Sequence, residues 1–249
     1  MDRERFHQKW IGDLFDAFPL WCPDGTVWEI GKKLSERASF APAEISGTGW
    51  AIAEAQAVYI CHQVEGPSIG MEAIVKVRLQ VPPKYPPNLN PHVRRKLALT
   101  NPSFWTAAEV SNLRHFNQKG CKVTPKLLAV KRSLQEWDCM PVPGGYLVFM
   151  VMERVPGVPL VDFWDYDFEK REKIRAAFQE GLKELFSHHG RPMDNHLGNI
   201  IYDEENNKCW FVDYEDVHVN EKRKPKEFTK SEYFFWGLAS HEYGEVEEW

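Results

Sequence analysis

Two periods of hydrophobic residues alternate along the chain, and the places where the period changes divide it. Near the start, Trp10, Ile11, Leu14, Phe15 and Phe18 fall at helical spacing, which predicts an amphipathic helix lying on the body of the protein. From 27 to 79 the texture is that of strands. The runs 57–62 and 73–79 are rich in Val, Ile and Tyr and are separated by Gly66, Pro67, Ser68 and Gly70, a pattern of consecutive antiparallel strands. Pro82, Pro83, Pro86, Pro87, Pro91 and Pro102 then crowd one stretch and predict a long ordered loop. A helix is expected over 106–118, with Pro102 and Ser103 upstream as start signals. Strands follow at 126–130 and 145–152, and Glu153-Arg154-Val155-Pro156-Gly157 breaks the second of them into a connector. The clearest helix is 168–188, where Ile174, Phe178, Leu182, Leu185 and Phe186 form one apolar stripe and Gly190 ends it. Two short strand-like runs, 199–202 and 209–212, are joined by the turn-forming residues 203–207. The expected class is α+β in two lobes. A helical extension covers 1–26, a β-rich lobe with one embedded helix 27–152, a hinge 153–157, and a short helical lobe 158–249.

Composition narrows the function classes. The 249 residues are 43% hydrophobic and 27% charged, the balance of a soluble globular chain. Lys and Arg number 31 against 36 Asp and Glu, a formal charge of −5, so nothing in the overall charge draws nucleic acid or an anionic membrane surface. The opening MDRERFHQKW is charged from its second residue, which is not the pattern of a secretory leader. The longest strongly apolar run, from Tyr146 to Met152, is far below the ~20 residues needed to cross a bilayer. The expected location is the cytoplasm. Cys22, Cys61, Cys121, Cys139 and Cys209 are scattered and include no C-x-x-C pair, so neither a zinc site nor a disulfide framework is suggested. Reduced, mostly buried thiols are expected.

The chemistry concentrates late in the chain. Arg191-Pro192-Met193-Asp194-Asn195-His196-Leu197-Gly198-Asn199 leads into the first short strand, and Phe211-Val212-Asp213-Tyr214-Glu215-Asp216 leaves the second. Two acidic residues and an Asn at the ends of adjoining strands can place oxygen ligands around one point, as hard cations such as Mg²⁺ require. A carboxylate five positions before the Asn can face an incoming hydroxyl while Asn199 and Asp213 hold the metal. Taken singly these residues have plainer readings. Asp and Asn favour turns, and a lone strand lysine or helix glutamate is usually a solvated charge.

The ordered set resembles the aminoglycoside/choline phosphotransferase branch of the protein-kinase-like superfamily. That family's pattern is H-G-D-x-H-x-x-N, then a hydrophobic pair, then I-D-[WFY]-E. This chain matches it at Asp194, His196, Asn199 and Asp213-Tyr214-Glu215, and departs from it where Pro192 and Met193 replace His-Gly. Upstream, Ala73-Ile74-Val75-Lys76 resembles the strand that presents a nucleotide-phosphate lysine. Glu109 is similar in placement to the helix glutamate that pairs with it. Met152-Glu153-Arg154-Val155 looks like a hinge where adenine meets the backbone. Ser46-Gly47-Thr48-Gly49 is only a short G-x-G, as common in hairpin turns as in phosphate loops. The resemblance spans roughly 27–216.

The resemblance implies a bilobal protein-kinase-like fold and an ATP- and Mg²⁺-dependent phosphotransferase. Its roles fall on Lys76 and Glu109 at the nucleotide phosphates, Glu153 and Val155 at the adenine, and Asn199 and Asp213 on the metal. Asp194 acts on the acceptor hydroxyl, with His196 and Glu215 in support. Only 36 residues follow Asp213, too few for peptide-holding machinery, so the expected acceptor is a small molecule. The aromatic tail residues Phe228, Tyr233, Phe234, Phe235, Trp236 and Tyr243 are expected mostly in the core. The alternatives are a pseudokinase or interaction module, and a kinase-like scaffold recruited to other chemistry.

Overall fold

A nine-residue strand shows how the sequence is used. In Glu72–Gln80, alternate side chains point to opposite faces. Ala73, Val75, Val77 and Leu79, all fully buried, form one apolar face. Lys76, Arg78 and Gln80 share the other and are also buried, so this strand is enclosed on both sides with a polar face and an apolar one. It is β4 of a six-stranded antiparallel sheet in the computed structural model, which describes residues 9–43 and 51–240. The others are β1 (Pro19–Trp21), β2 (Val27–Ala41), β3 (Ile52–Glu65), β5 (Leu127–Leu134) and β6 (Tyr146–Glu153), in the order β1-β2-β3-β4-β6-β5. The molecule is a mixed α+β protein with a β-rich N-terminal sheet.

The chain divides into two compact units. The first is Met1–Ala107 with Leu127–Arg154, and the second is Ala108–Lys126 with Val155–Trp249. In the first unit the core is built on the apolar faces of β3 and β4, with Tyr59, Val75, Val77, Phe149 and Val151 essentially inaccessible to solvent. Phe15 packs edge-on to Phe149 at 5.3 Å between ring centroids. The N-terminal segment departs from expectation. Residues 10–17 make turns rather than the amphipathic helix expected within the 1–26 extension. Gly12 and Ala17 sit at φ 49° and 52°, which a right-handed helix cannot accommodate, and i→i+3 backbone bonds such as Leu14 N–H to the Ile11 carbonyl replace the helical ladder. The apolar spacing is still used, since Ile11 and Phe15 are buried.

The proline-rich stretch holds one short helix, α1 (Pro91–Arg95), capped by the Asn90 side chain. Gln80 on β4 grips this stretch from both sides of its amide. Its Nε2 donates to the Leu97 carbonyl at 2.7 Å and its Oε1 accepts from Leu99 N–H at 2.8 Å. Helix α2 (Phe104–Gln118) begins where the Ser103 hydroxyl accepts from Thr106 N–H, and the chain reverses after it at Gly120, φ 73°.

In the second unit, α3 (Phe168–Ser187) starts at an Asp167 cap and buries Ile174, Phe178, Leu182, Leu185 and Phe186, the stripe read from the sequence. Its Phe178 meets Phe211, Phe228, Tyr233 and Trp236 in one aromatic cluster. The two short strands are β9 (Ile200–Asp203) and β10 (Lys208–Phe211), and β9 also pairs with β7 (Val158–Pro159). Gly157, at φ 110°, permits that last pairing, because a Cβ there would lie 2.2 Å from the Tyr202 carbonyl oxygen. A separate two-stranded pair joins β8 (Gly190–Pro192) to β11 (Val217–Val219). Helix α4 (Ser231–Phe235) carries Tyr233 and is followed by Trp236, both buried, while Phe235 is exposed. The short Gly47/Gly49 motif and Tyr243 lie outside the described residues. Among the described residues no helix is long and apolar enough to cross a membrane. All five cysteines are free, and only Cys139 is exposed.

Candidate functional site

The loop from β8 to β9 is positioned from both ends by backbone bonds. Pro192 lies opposite Val217 in the β8–β11 pair, and Met193 N–H donates to the Asp216 carbonyl at 2.9 Å. Strand pairing therefore braces the start of the loop at the two positions where the resembling family has His-Gly. The chain then forms a single 3-10 turn over Leu197–Asn199, whose N-cap is His196. The His196 Nδ1 accepts from Gly198 N–H at 3.1 Å, so the ring serves the turn. The other ring nitrogen lies 3.5 Å from Asp194 Oδ2, and both side chains are about half exposed.

Asn199 is buried at 7% exposure and bonded on three sides. Its N–H donates to the His196 carbonyl, and its own carbonyl accepts from Val212 N–H at 3.0 Å. Its side-chain Nδ2 donates to the Asp194 carbonyl at 2.9 Å. That last bond orients the amide. The nitrogen is committed to the backbone, which leaves Oδ1 as the face open to a cation or donor.

Asp213 adopts φ 66°, the left-handed region, where a non-glycine residue costs about 1–3 kcal/mol and persists only if its surroundings hold it. The holding groups are close by. Tyr214 is buried, and its hydroxyl bonds Thr124 Oγ1 at 2.8 Å. Burial holds that phenol well above its usual pKa, with the Thr124 bond a smaller opposing effect, so it stays protonated. Asn112 on α2 donates to the Tyr214 carbonyl at 2.9 Å and to the Val217 carbonyl at 2.8 Å. The strained residue is thus pinned on its C-terminal side by one amide and one phenol, and on its N-terminal side by the Asn199–Val212 bond.

Asp194, Asn199 and Asp213 line one small pocket, together with Asp216, Pro192, Phe211 and Trp236. Glu109 is almost fully buried on α2, and one of its carboxylate oxygens lies within 4.8 Å of those of Asp213 and Glu215. Of the other residues singled out from the sequence, Lys76 is buried at 5% exposure on β4, opposite Val58 and Met150. Glu153 closes β6, and Val155 is buried just beyond it. Asn112 was not singled out. Its partners Tyr214 and Val217 lie 102 and 105 residues further along the chain, so no local pattern marks it.

Oxygen donors from an Asn amide and an Asp carboxylate in one pocket are the donor set of a hard divalent cation, and Asn199 and Asp213 fit Mg²⁺ on that ground. No protein-family model matches the sequence, and no curated protein matches it. In structure the chain is similar to the kinase PK-1 of Cydia pomonella granulovirus, at 15% identity and a TM-score of 0.43. The match covers 84% of this chain, which spans 64% of that one. A likeness so distant brings no activity with it.

Proposed function

We propose that the protein is an ATP- and Mg²⁺-dependent phosphotransferase of protein-kinase-like fold that acts on a hydroxyl of a small molecule. The observation that carries the reading is that Asp194, Asn199 and Asp213 jointly line one small, cation-sized pocket. In this reading Asp194 orients the acceptor hydroxyl and takes its proton as the oxygen attacks the terminal phosphorus, while the bond from that phosphorus to the bridging oxygen breaks and ADP leaves. Half exposure leaves it free to meet a substrate. Asn199 and Asp213 would hold Mg²⁺, which when bound supplies positive charge to the transferring phosphoryl group. Lys76 would meet the nucleotide phosphates and Glu153 and Val155 the adenine, with Glu109, Glu215 and His196 in support.

The backbone bracing at Pro192 and Met193 favours this reading over an idle pseudokinase, because the loop keeps a fixed course without the family's His-Gly. Thermal-shift titration of the whole chain with ATP, with and without Mg²⁺, tests it first. A ligand that binds only the folded state raises its stability. A Mg²⁺-dependent rise in wild type that is lost in Asp213→Ala supports the reading, and an acceptor screen then follows. Absence of any shift would move the chain to the binding-module class.

A further inference from the structure

Away from that pocket, a second group of chemistry-bearing side chains meets where two helices of the second unit end. Cys121 follows the Gly120 reversal after α2. Glu184 and His188 lie one turn apart at the C-terminus of α3, His188 being its C-cap. A thiol sulfur, a carboxylate oxygen and a ring nitrogen, one from each, all lie within 4.8 Å of one another. We propose that Cys121, Glu184 and His188 bind a zinc ion, with water as a fourth ligand, and tie the ends of α2 and α3 together.

Three features support this. The donor set is one sulfur, one nitrogen and one oxygen, which suits a borderline-soft ion of tetrahedral preference rather than Mg²⁺ or Ca²⁺. Ligand atoms around tetrahedral zinc sit about 3.3–3.8 Å apart, so a grouping within 4.8 Å needs at most about 1–1.5 Å of contraction, within the reach of side-chain rotation. Two of the donors are already oriented by hydrogen bonds. Glu184 Oε1 accepts from Lys122 N–H at 2.5 Å, and Cys121 Sγ accepts from Thr124 Oγ1 at 3.3 Å. The His188 backbone is fixed as well, its carbonyl bonded to His115 Nε2 at 3.0 Å, while among the described residues its own ring nitrogens take no hydrogen bond. Outer bonds of this kind characterise metal ligands.

Enclosure separates binding from catalysis. Cys121 is 7% exposed, which admits a small ion but not a substrate, whereas Glu184 and His188 are partly exposed and give the ion a way in. No C-x-x-C spacing announces the site, since the ligands come from separate segments and only the fold assembles them.

Cobalt(II) titration of the full chain is the test, because a thiolate ligand to Co²⁺ gives a near-ultraviolet charge-transfer band that oxygen ligands do not. The expected result is a band saturating at one equivalent in wild type and in Asp213→Asn, and absent in Cys121→Ser. His188→Gln should weaken Co²⁺ binding at least about tenfold. Zn²⁺ should displace the cobalt and raise the melting temperature of wild type and Asp213→Asn, but not of Cys121→Ser. A wild-type protein with no band, a band that survives Cys121→Ser, or undiminished affinity in His188→Gln each overturns the proposal. Circular dichroism reports whether Cys121→Ser folds, and the His188 variant decides the matter if it does not. The Asp213→Asn control separates this site from the proposed Mg²⁺ site, so either can fail alone.

Discussion

Two acid–base pairs, one in each unit, show how the same chemistry serves opposite ends. In the first unit Glu54 and Arg78 are both 2% exposed, 2.8 Å apart. The second Glu54 oxygen accepts from Ser103 Oγ at 2.7 Å and Thr106 Oγ1 at 2.6 Å, so both carboxylate oxygens are engaged. In the second unit Asp194 and His196 sit 3.5 Å apart and about half exposed. Their fixed contacts run largely through backbone: the Asp194 carbonyl to Asn199, and the His196 ring to Gly198 N–H. A buried carboxylate with both oxygens engaged holds structure. One whose backbone is held while its oxygens reach solvent is positioned and still able to react. The difference lies in what is bonded, the side chain or the main chain.

The comparison breaks first if the buried pair turns out to be dispensable. Removing one partner of a buried ion pair strands the other, at a cost of about 3–5 kcal/mol. Glu54→Ala should lose that much stability in urea unfolding, because Arg78 would remain enclosed and Ser103 and Thr106 would each lose an acceptor. A loss under 1 kcal/mol would mean the cluster is hydrated in solution. Asp194→Ala should do the reverse. The Asn199 amide is bonded to the Asp194 backbone carbonyl, which an alanine keeps, so the unfolding free energy should hold within about 0.5 kcal/mol. Phosphotransfer, once an acceptor is found, should fall on the order of 10²-fold or more. Equal destabilisation by both variants would erase the contrast.

Asn112→Ala sharpens the comparison between these extremes. It removes the donor to two carbonyls that follow Asp213 in the chain, and leaving such groups buried and unmatched costs about 1–3 kcal/mol. The left-handed conformation of Asp213 should then be less strictly held, and Mg²⁺-dependent nucleotide binding should weaken several-fold in the same thermal-shift titration. A variant that loses stability but keeps full Mg²⁺ dependence would show that Asn112 braces the fold without positioning Asp213.

What was legible in the sequence follows from how local each cause is. The strand runs at 57–62 and 73–79 lie inside Ile52–Glu65 and Glu72–Gln80, and the 168–188 stripe is Phe168–Ser187, because two-residue and helical periods are written in consecutive residues. The N-terminal segment misled because its apolar spacing is helical while two backbone reversals, at Gly12 and Ala17, turn it into successive turns. Alanine carries no signal for that conformation. Asp194, Asn199 and Asp213 could be singled out because their spacing is short and lies on one hairpin. Asn112, the Ser103–Glu54 bonds and the Cys121 cluster were invisible for the opposite reason. Each joins residues far apart in the chain, and no local period marks them.

The smallest effect falls on His196. Its ring accepts one backbone N–H and lies at the long end of ion-pair range from a half-exposed carboxylate, and such surface pairs contribute about 0–1 kcal/mol. His196→Ala should therefore lower the unfolding free energy by less than about 1 kcal/mol. If the ring only caps the 3-10 turn, His196→Asn, whose side-chain oxygen can accept from Gly198 N–H, should restore whatever turnover alanine loses. Asparagine carries no charge and cannot exchange a proton near neutral pH, so rescue by it separates a bracing role from an acid–base one. Failure of that rescue, with alanine and asparagine equally slow and equally stable, would move His196 from the turn to the chemistry and make the Asp194–His196 pair a reacting couple.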